Sequence, residues 1–326
     1  MMPARFPGAS RPLAEAPGTS AEPLVVASRP HTSADVHRRA RALFLALRPV
    51  QWIKNGVVFA GLVFAGLMFD TTAVARAIVA AIAFCLLSSG FYLINDVRDA
   101  PADRAHPIKR QRPVASGALL PRTALAAALL LLATAFALGA ALGSGFLLIL
   151  LGYSALMAAY NLGLKQIVIL DVFVIAAGFI LRAAGGAIAV DVSISPWLLL
   201  CTMLLALLVG FGKRRHELVT LDDASRHRRN LELYTQAMLD QSVAVTAAGT
   251  LIAYAVYAFD GQTAAAHPAM IATVPMVAYA VFRYLFLLYR RGRGGVPEAL
   301  VFTDRGLLTA IVVWALCSTA ALYFAR

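Results

Sequence analysis

The sequence predicts an all-α fold, a polytopic membrane bundle of about nine transmembrane helices with its polar groups gathered on the cytoplasmic side. Three observations carry that reading. The chain is 60% hydrophobic and only 14% charged. Its apolar residues fall into recurring runs near the ~20 residues that a helix needs to cross a bilayer. Its Lys and Arg collect in alternate connecting segments rather than being spread over the chain. A soluble domain of 326 residues would need far more charged surface to stay in solution.

Residues 1 to about 40 are rich in Pro, Ala, Ser and Arg and lack both apolar periodicity and the compact apolar core of a signal peptide. They read as a disordered cytoplasmic tail, with the membrane domain occupying 41–326. Apolar spans then follow at about 50–69, 73–94, 121–142, 144–163, 167–190, 195–212, 238–259, 268–289 and 306–325. Gly143-Ser144-Gly145 supplies a tight turn between the third and fourth. With the basic residues around Arg38 to Arg48 inside, alternation puts 95–122, 161–166, 213–237 and 290–305 inside as well. Those segments hold nearly all the remaining Lys and Arg, while the opposite turns near Asp70, Gly143, Asp191 and Asp260 hold none. The asymmetry sets the orientation, with the N-terminus inside and a multi-pass chain in the plasma (inner) membrane.

The formal charge of +12 and pI near 10.1 therefore reflect this topology and not a nucleic-acid footprint, because the basic segments lack aromatic stacking platforms. Cys85, Cys201 and Cys317 sit apart within apolar spans, at no zinc or disulfide spacing, and read as small core residues.

The chemistry concentrates after the second span. Asn95-Asp96-Val97-Arg98-Asp99-Ala100-Pro101-Ala102-Asp103 places carboxylates at i, i+3 and i+7, on one face if the segment is helical. Clustered carboxylates beside hydrocarbon repel one another unless a cation neutralises them. Magnesium suits the place, since it binds through one or two carboxylates together with substrate phosphates. Pro101 is expected to interrupt or end the helix. Arg104 to Pro113 follow as a basic cluster, and acidic metal ligands next to Arg and Lys are what a diphosphate substrate needs. A solvated positive-inside loop explains the basic residues equally well but not the acids. His106 reads as a structural loop residue. Deeper in the bundle, Asp171 is placed about one and a half turns into the fifth span as a second metal or ribose contact. Arg182 lies eleven residues further on, where a charge pairs within the bundle or with helix carbonyls, and Gly185-Gly186 suit close helix packing.

The Asn-Asp-x-x-Asp-x-x-x-Asp pattern after a second transmembrane helix resembles the UbiA superfamily of intramembrane prenyltransferases. That resemblance implies that Asp96, Asp99 and Asp103 bind magnesium and a substrate diphosphate. Quinone-precursor members carry a second acidic motif after the sixth helix. Here Gly212-Lys213-Arg214-Arg215-His216-Glu217-Leu218 is basic, and the next acids are Asp222 and Asp223. Over roughly 45–310 the chain is similar instead to the decaprenyl-phosphate phosphoribosyltransferase branch. The matches are Arg48-Pro49-x-Gln51-Trp52-x-Lys54-Asn55, Lys109-Arg110-x-Arg112-Pro113, Tyr160 with Gly163-Leu164-Lys165, Gly212-Lys213-Arg214 with Glu217-Leu218, and Asp304-Arg305.

The resemblance implies magnesium-dependent transfer of 5-phosphoribosyl from phosphoribosyl diphosphate to a polyprenyl phosphate, in the synthesis of cell-envelope precursors such as arabinogalactan's. It implies a cytoplasmic-side active-site cavity with Asp96, Asp99 and Asp103 as catalytic residues and Asn95 in support, to which Asp171 is added as a catalytic candidate from its place in the fifth span. Lys54 is then a candidate for the acceptor phosphate, and Lys109, Arg110 and Arg112 for the donor phosphates. Tyr160, Lys165, Lys213, Arg214 and Glu217 would close over the sugar. A prenyltransferase using an aromatic acceptor, and more distantly a transporter, stand as the alternatives.

Overall fold

The computed structural model describes residues 33–220, 231–290 and 297–324. Helix α1 (Ser33–Ala46) leads into a 3-10 stretch, Pro49–Phe59, that continues as α2 (Ala60–Phe64). Then follow α3 (Thr71–Ala105), α4 (Pro121–Leu142), α5 (Ser144–Leu162), α6 (Leu170–Ala189), α7 (Pro196–Thr220) and α8 (Gln236–Phe259). The short α9 (Gly261–Ala266) and a 3-10 turn precede α10 (Val274–Arg290), and α11 (Pro297–Thr303) precedes α12 (Arg305–Tyr323). Among the described residues, eight helices are long and apolar enough to cross a membrane: α3 to α8, α10 with its 3-10 lead-in, and α12.

The predicted first span is the one that differs. Pro49 starts it, and its 11 residues of 3-10 helix plus the 5-residue α2 form no long α-helix. A 3-10 helix rises about 2.0 Å per residue against 1.5 Å in an α-helix, so the segment still extends about 30 Å, a hydrocarbon thickness. It lies against α6 and α3. The approach to α6 is close because Gly186 has no side chain: a Cβ there would sit 1.9 Å from the Val58 carbonyl oxygen. Gly61 does the same in the other direction, where a Cβ would meet the Ala187 backbone at 2.8 Å.

Three boundaries also move. The predicted tail ends earlier, since residues 33–40 already belong to α1, which packs Ala42 and Ala46 against Leu93 of α3. Its apolar spacing begins under a run of arginines that masks it in composition. Residues 1–32 lie outside the described residues. Helix α3 runs 35 residues through Pro101 without ending, so the acidic motif is helical throughout. Proline removes one backbone bond, and the helix stops one turn later, leaving little to break. Helix α7 continues past residue 212, so 213–218 form its last turns and not a loop. Asp222 and Asp223 lie outside the described residues.

Asp70 caps α3 by accepting from the amides of Thr72 (2.8 Å) and Ala73 (2.9 Å). Gly143, at φ 122°, turns α4 into α5. Successive spans reverse direction, so the connections after α3, α5, α7 and α10 fall at one end of the bundle. Within it, Phe84, Leu87, Phe146, Leu150 and Tyr153 form one core with Val58. Val172, Leu208, Phe211, Leu239 and Leu287 belong to a second. Helix α6 contributes to both and has 61% of its span buried, against 17% for α4 and α5, which makes it the central helix and leaves those two to face lipid.

Candidate functional site

Two ion-pair clusters form at the end of the bundle where α3, α5, α7 and α10 finish. The first is built on the last three turns of α3. Asp96 and Asp103 are buried, at 2% and 4% exposure, although both are carboxylates. Arg112, just after a 3-10 turn (Lys109–Gln111), places one nitrogen, Nη1, 3.2 Å from Asp96 Oδ1 and 2.7 Å from Asp103 Oδ2. Arg48 donates to Asp96 Oδ1 as well, at 2.5 Å, and stacks 4.8 Å over the Tyr92 ring. It does so from a left-handed backbone conformation, φ 56°, at the junction of α1 and the 3-10 stretch. A non-glycine residue held there marks a position that its surroundings over-determine.

Asp99 is half-buried one turn along but takes no part in this clamp. The predicted trio is thus a pair plus a neighbour. Asn95, beside Asp96, has a buried Oδ1 that accepts no hydrogen bond among the described residues. Among the described residues no three acidic, His or Cys side chains converge tightly enough to hold a metal by themselves. Two carboxylates and an unclaimed amide oxygen nevertheless form the hard-oxygen set that suits magnesium, which completes its shell with water and phosphate. The His106 Nδ1 accepts from the amides of Ile108 (3.1 Å) and Lys109 (3.3 Å) and shapes the turn out of α3. Lys109 is half-buried and Arg110 exposed beside this turn. Arg98, inside the acidic motif, donates to the Asn161 carbonyl at 3.0 Å and ties α3 to the end of α5.

The second cluster centres on Asp171, which is fully buried. It lies in the first turn of α6, shallower than expected, because residues 167–169 do not join the helix. Ile169, a β-branched residue at φ 69°, makes the sharp entry, and its amide donates to the Tyr234 hydroxyl at 2.6 Å. Tyr234 in turn donates to Asp171 Oδ1 at 2.8 Å. Burial and the neighbouring carboxylate push the Tyr234 phenol well above its ordinary range, so it remains a donor. Arg214, on the extended end of α7, donates through Nε to Asp171 Oδ2 (2.7 Å) and through Nη1 to Glu217 Oε2 (2.5 Å). Tyr160, at the end of α5, is within electrostatic reach of Arg214. The geometry joins Asp171, Arg214, Glu217 and Tyr160, while Lys165 and Lys213 stand half-buried on neighbouring turns.

Arg182 is buried within the span of α6. Its guanidinium donates to Asn55 Oδ1 (2.7 Å), the Tyr153 hydroxyl (2.7 Å) and the Gly178 carbonyl (2.9 Å), and it packs over the Tyr153, Phe84 and Phe179 rings. It is the in-bundle pairing the sequence suggested. Lys54 is half-buried one residue before Asn55 and within electrostatic reach of Tyr153. Sequence reasoning missed Arg48 as a carboxylate partner, and Tyr234, Asn55 and Tyr153 as supports. Nothing in their local spacing marks them, because each acts on a residue more than twenty positions away.

The chain as a whole is similar to known proteins. A decaprenyl-phosphate phosphoribosyltransferase of Mycolicibacterium smegmatis is 35% identical over 295 residues, covering 86% of this chain and 92% of that protein. The Corynebacterium glutamicum protein of the same name is 32% identical over 312 residues, covering 91% and 93%. The solved structure of an Archaeoglobus fulgidus UbiA homologue bound to DMAPP and magnesium superposes with a TM-score of 0.67 at 18% identity, covering 86% of this chain and 98% of that one. The model of the UbiA prenyltransferase family matches residues 56–304, a stretch that holds both ion-pair clusters apart from Arg48, and the chain belongs to that family.

Proposed function

We propose that the protein transfers a 5-phosphoribosyl group from phosphoribosyl diphosphate to a polyprenyl phosphate, releasing diphosphate at the cytoplasmic face of the cell membrane. The observation that carries this reading is the charge pattern at the common helix end. One buried carboxylate pair is set on α3, and the end of α7 is basic, with Arg214 held by Asp171 and Glu217. Two anionic substrates need such a rim. A water-soluble donor reaches it from the cytosol, while the acceptor's tail stays among the helices. The curated relatives named for this activity are matched over more than nine-tenths of their length, which supports the same choice.

An oxygen of the acceptor phosphate attacks C1 of the ribose, the C1–O bond to diphosphate breaks, and diphosphate leaves with the bonding electrons. The nucleophile is already an anion, so no general base is required, and catalysis rests on placement and charge. Asp96 and Asp103, with Asn95 beside them, would hold magnesium, which supplies neutralisation of charge on the leaving diphosphate. Asp99 stands on the same helical stretch to bind water or substrate around the ion. Arg112 orients donor phosphates, with Lys109 and Arg110 at the rim, while Arg48 stays on Asp96. Arg214, fixed from below by Asp171 and Tyr234, presents its charge with Glu217 toward the ribose phosphate, helped by Tyr160, Lys165 and Lys213. Lys54 meets the acceptor phosphate.

The test is transfer of labelled phosphoribosyl to polyprenyl phosphate by purified protein in magnesium. EDTA is expected to abolish it, and Asp96→Asn or Asp103→Asn to lower the rate about a hundredfold or more. Labelled lipid formed instead from a prenyl diphosphate and an aromatic acceptor would replace this reading with the prenyltransferase one.

A further inference from the structure

We infer that Arg112 is a resident counter-ion occupying the cation position between Asp96 and Asp103, and that it must pass from those carboxylates to the diphosphate before a divalent ion can bind. Metal and diphosphate would then bind cooperatively, each making room for the other. The inference rests on the reading above but concerns binding, and not turnover.

The geometry is specific. A single nitrogen of Arg112 bridges carboxylates two turns apart on one helix, and it is the only ion-pair partner of Asp103 among the described residues. Asp96 keeps a second guanidinium, Arg48, whatever Arg112 does. A divalent ion drawn to the same two oxygens would meet Arg112 at close range, and like charges repel strongly where water is scarce. Arg112 has somewhere to go. Its side chain is 27% exposed, its backbone is extended at the end of a one-turn 3-10 helix, and its long stem can swing without unfolding α3. Without an anion at its new position, however, it gives up two charge-assisted bonds. A diphosphate offers several oxygens to a planar guanidinium and replaces them. The metal therefore enters readily only when the diphosphate has taken Arg112. Reciprocity requires that the metal strengthen diphosphate binding by the same factor.

The full chain in nanodiscs provides the test, with manganese binding read from the free-ion spin-resonance signal in the absence of any phosphate. Arg112→Gln is expected to bind manganese at least about fivefold more tightly than wild type, because the competing charge is gone. In EDTA, the same variant is expected to bind inorganic diphosphate at least about fivefold more weakly. Arg122→Gln removes one exposed charge from the start of α4 without vacating the carboxylates, and should leave both affinities within about twofold. Arg112→Lys, whose ammonium is a more compact donor, should show an intermediate gain and serves if the glutamine variant fails to fold. Manganese affinity unchanged in both Arg112 variants, or raised as much by Arg122→Gln, would overturn the inference. Absence of phosphoribosyl transfer in the wild type would instead remove the functional reading beneath it, whatever manganese does.

Discussion

Arg182 shows how single residues in this bundle are held. Its charge lies within the membrane span of α6, where an unpaired ion is expensive, yet it is answered by three neutral acceptors and three aromatic rings. Removing it strands the Asn55 oxygen and the Tyr153 hydroxyl. Arg182→Gln and Asn55→Leu are each expected to lower stability by about 1–3 kcal/mol, read as thermal unfolding in detergent. In the double variant the losses should fall short of their sum by about 1 kcal/mol, since the two side chains share one bond. Full additivity would mean that they act apart. At this scale the sequence was partly legible. A lone arginine in an apolar run announces a partner, and an acidic triplet at helical spacing announces a cation. Which acceptors answer Arg182, and that Arg112 joins Asp96 to Asp103, depends on distances that chain order does not encode.

Among the elements, the 3-10 stretch before α2 is the least ordinary. Its close seat on α6 exists because Gly186 admits the Val58 carbonyl. Gly186→Ala is expected to reduce folded yield sharply, because a Cβ at 1.9 Å from a carbonyl oxygen cannot be absorbed by a side-chain rotation. Gly56→Ala lies in the same stretch with nothing within 4 Å of the added carbon, and should fold like wild type. Equal yields of the two variants, compared by size-exclusion chromatography, would contradict this packing. Hydropathy located the other eight spans well, since each is a long apolar run. It could not distinguish a 3-10 course from an α-helix in the first, because both bury the same apolar composition. Nor could it follow α7 past Gly212, where charge begins but Arg214 and Arg215 turn inward to acids on α6 and α8.

For the whole molecule, the two clusters share one end of a multi-pass membrane bundle, and basic residues in the connections there predict that this end faces the cytosol. With Cys85, Cys201 and Cys317 replaced by Ala, a single cysteine at exposed Ala118 should resist an impermeant thiol reagent in intact cells, and one at exposed Ser193 should react. The reverse pattern would invert the topology. Charge asymmetry made the placement of the polar groups at one end readable from sequence, because a membrane permits few alternatives. The pairing of α6 with both cores was not readable, since every span is apolar enough to be central.

The unbroken course of α3 carries one last implication. At 1.5 Å per residue its 35 residues measure about 52 Å, well beyond a hydrocarbon thickness, so one rod links the capped turn at Asp70 to the carboxylates at the far rim. Nothing along that rod can absorb a change of phase. A single residue added midway would rotate Asp96 by about 100° away from Arg48, which precedes the rod, while leaving hydropathy untouched. Insertions should therefore be tolerated in the hinge at Gly143 and not between Thr71 and Asn95.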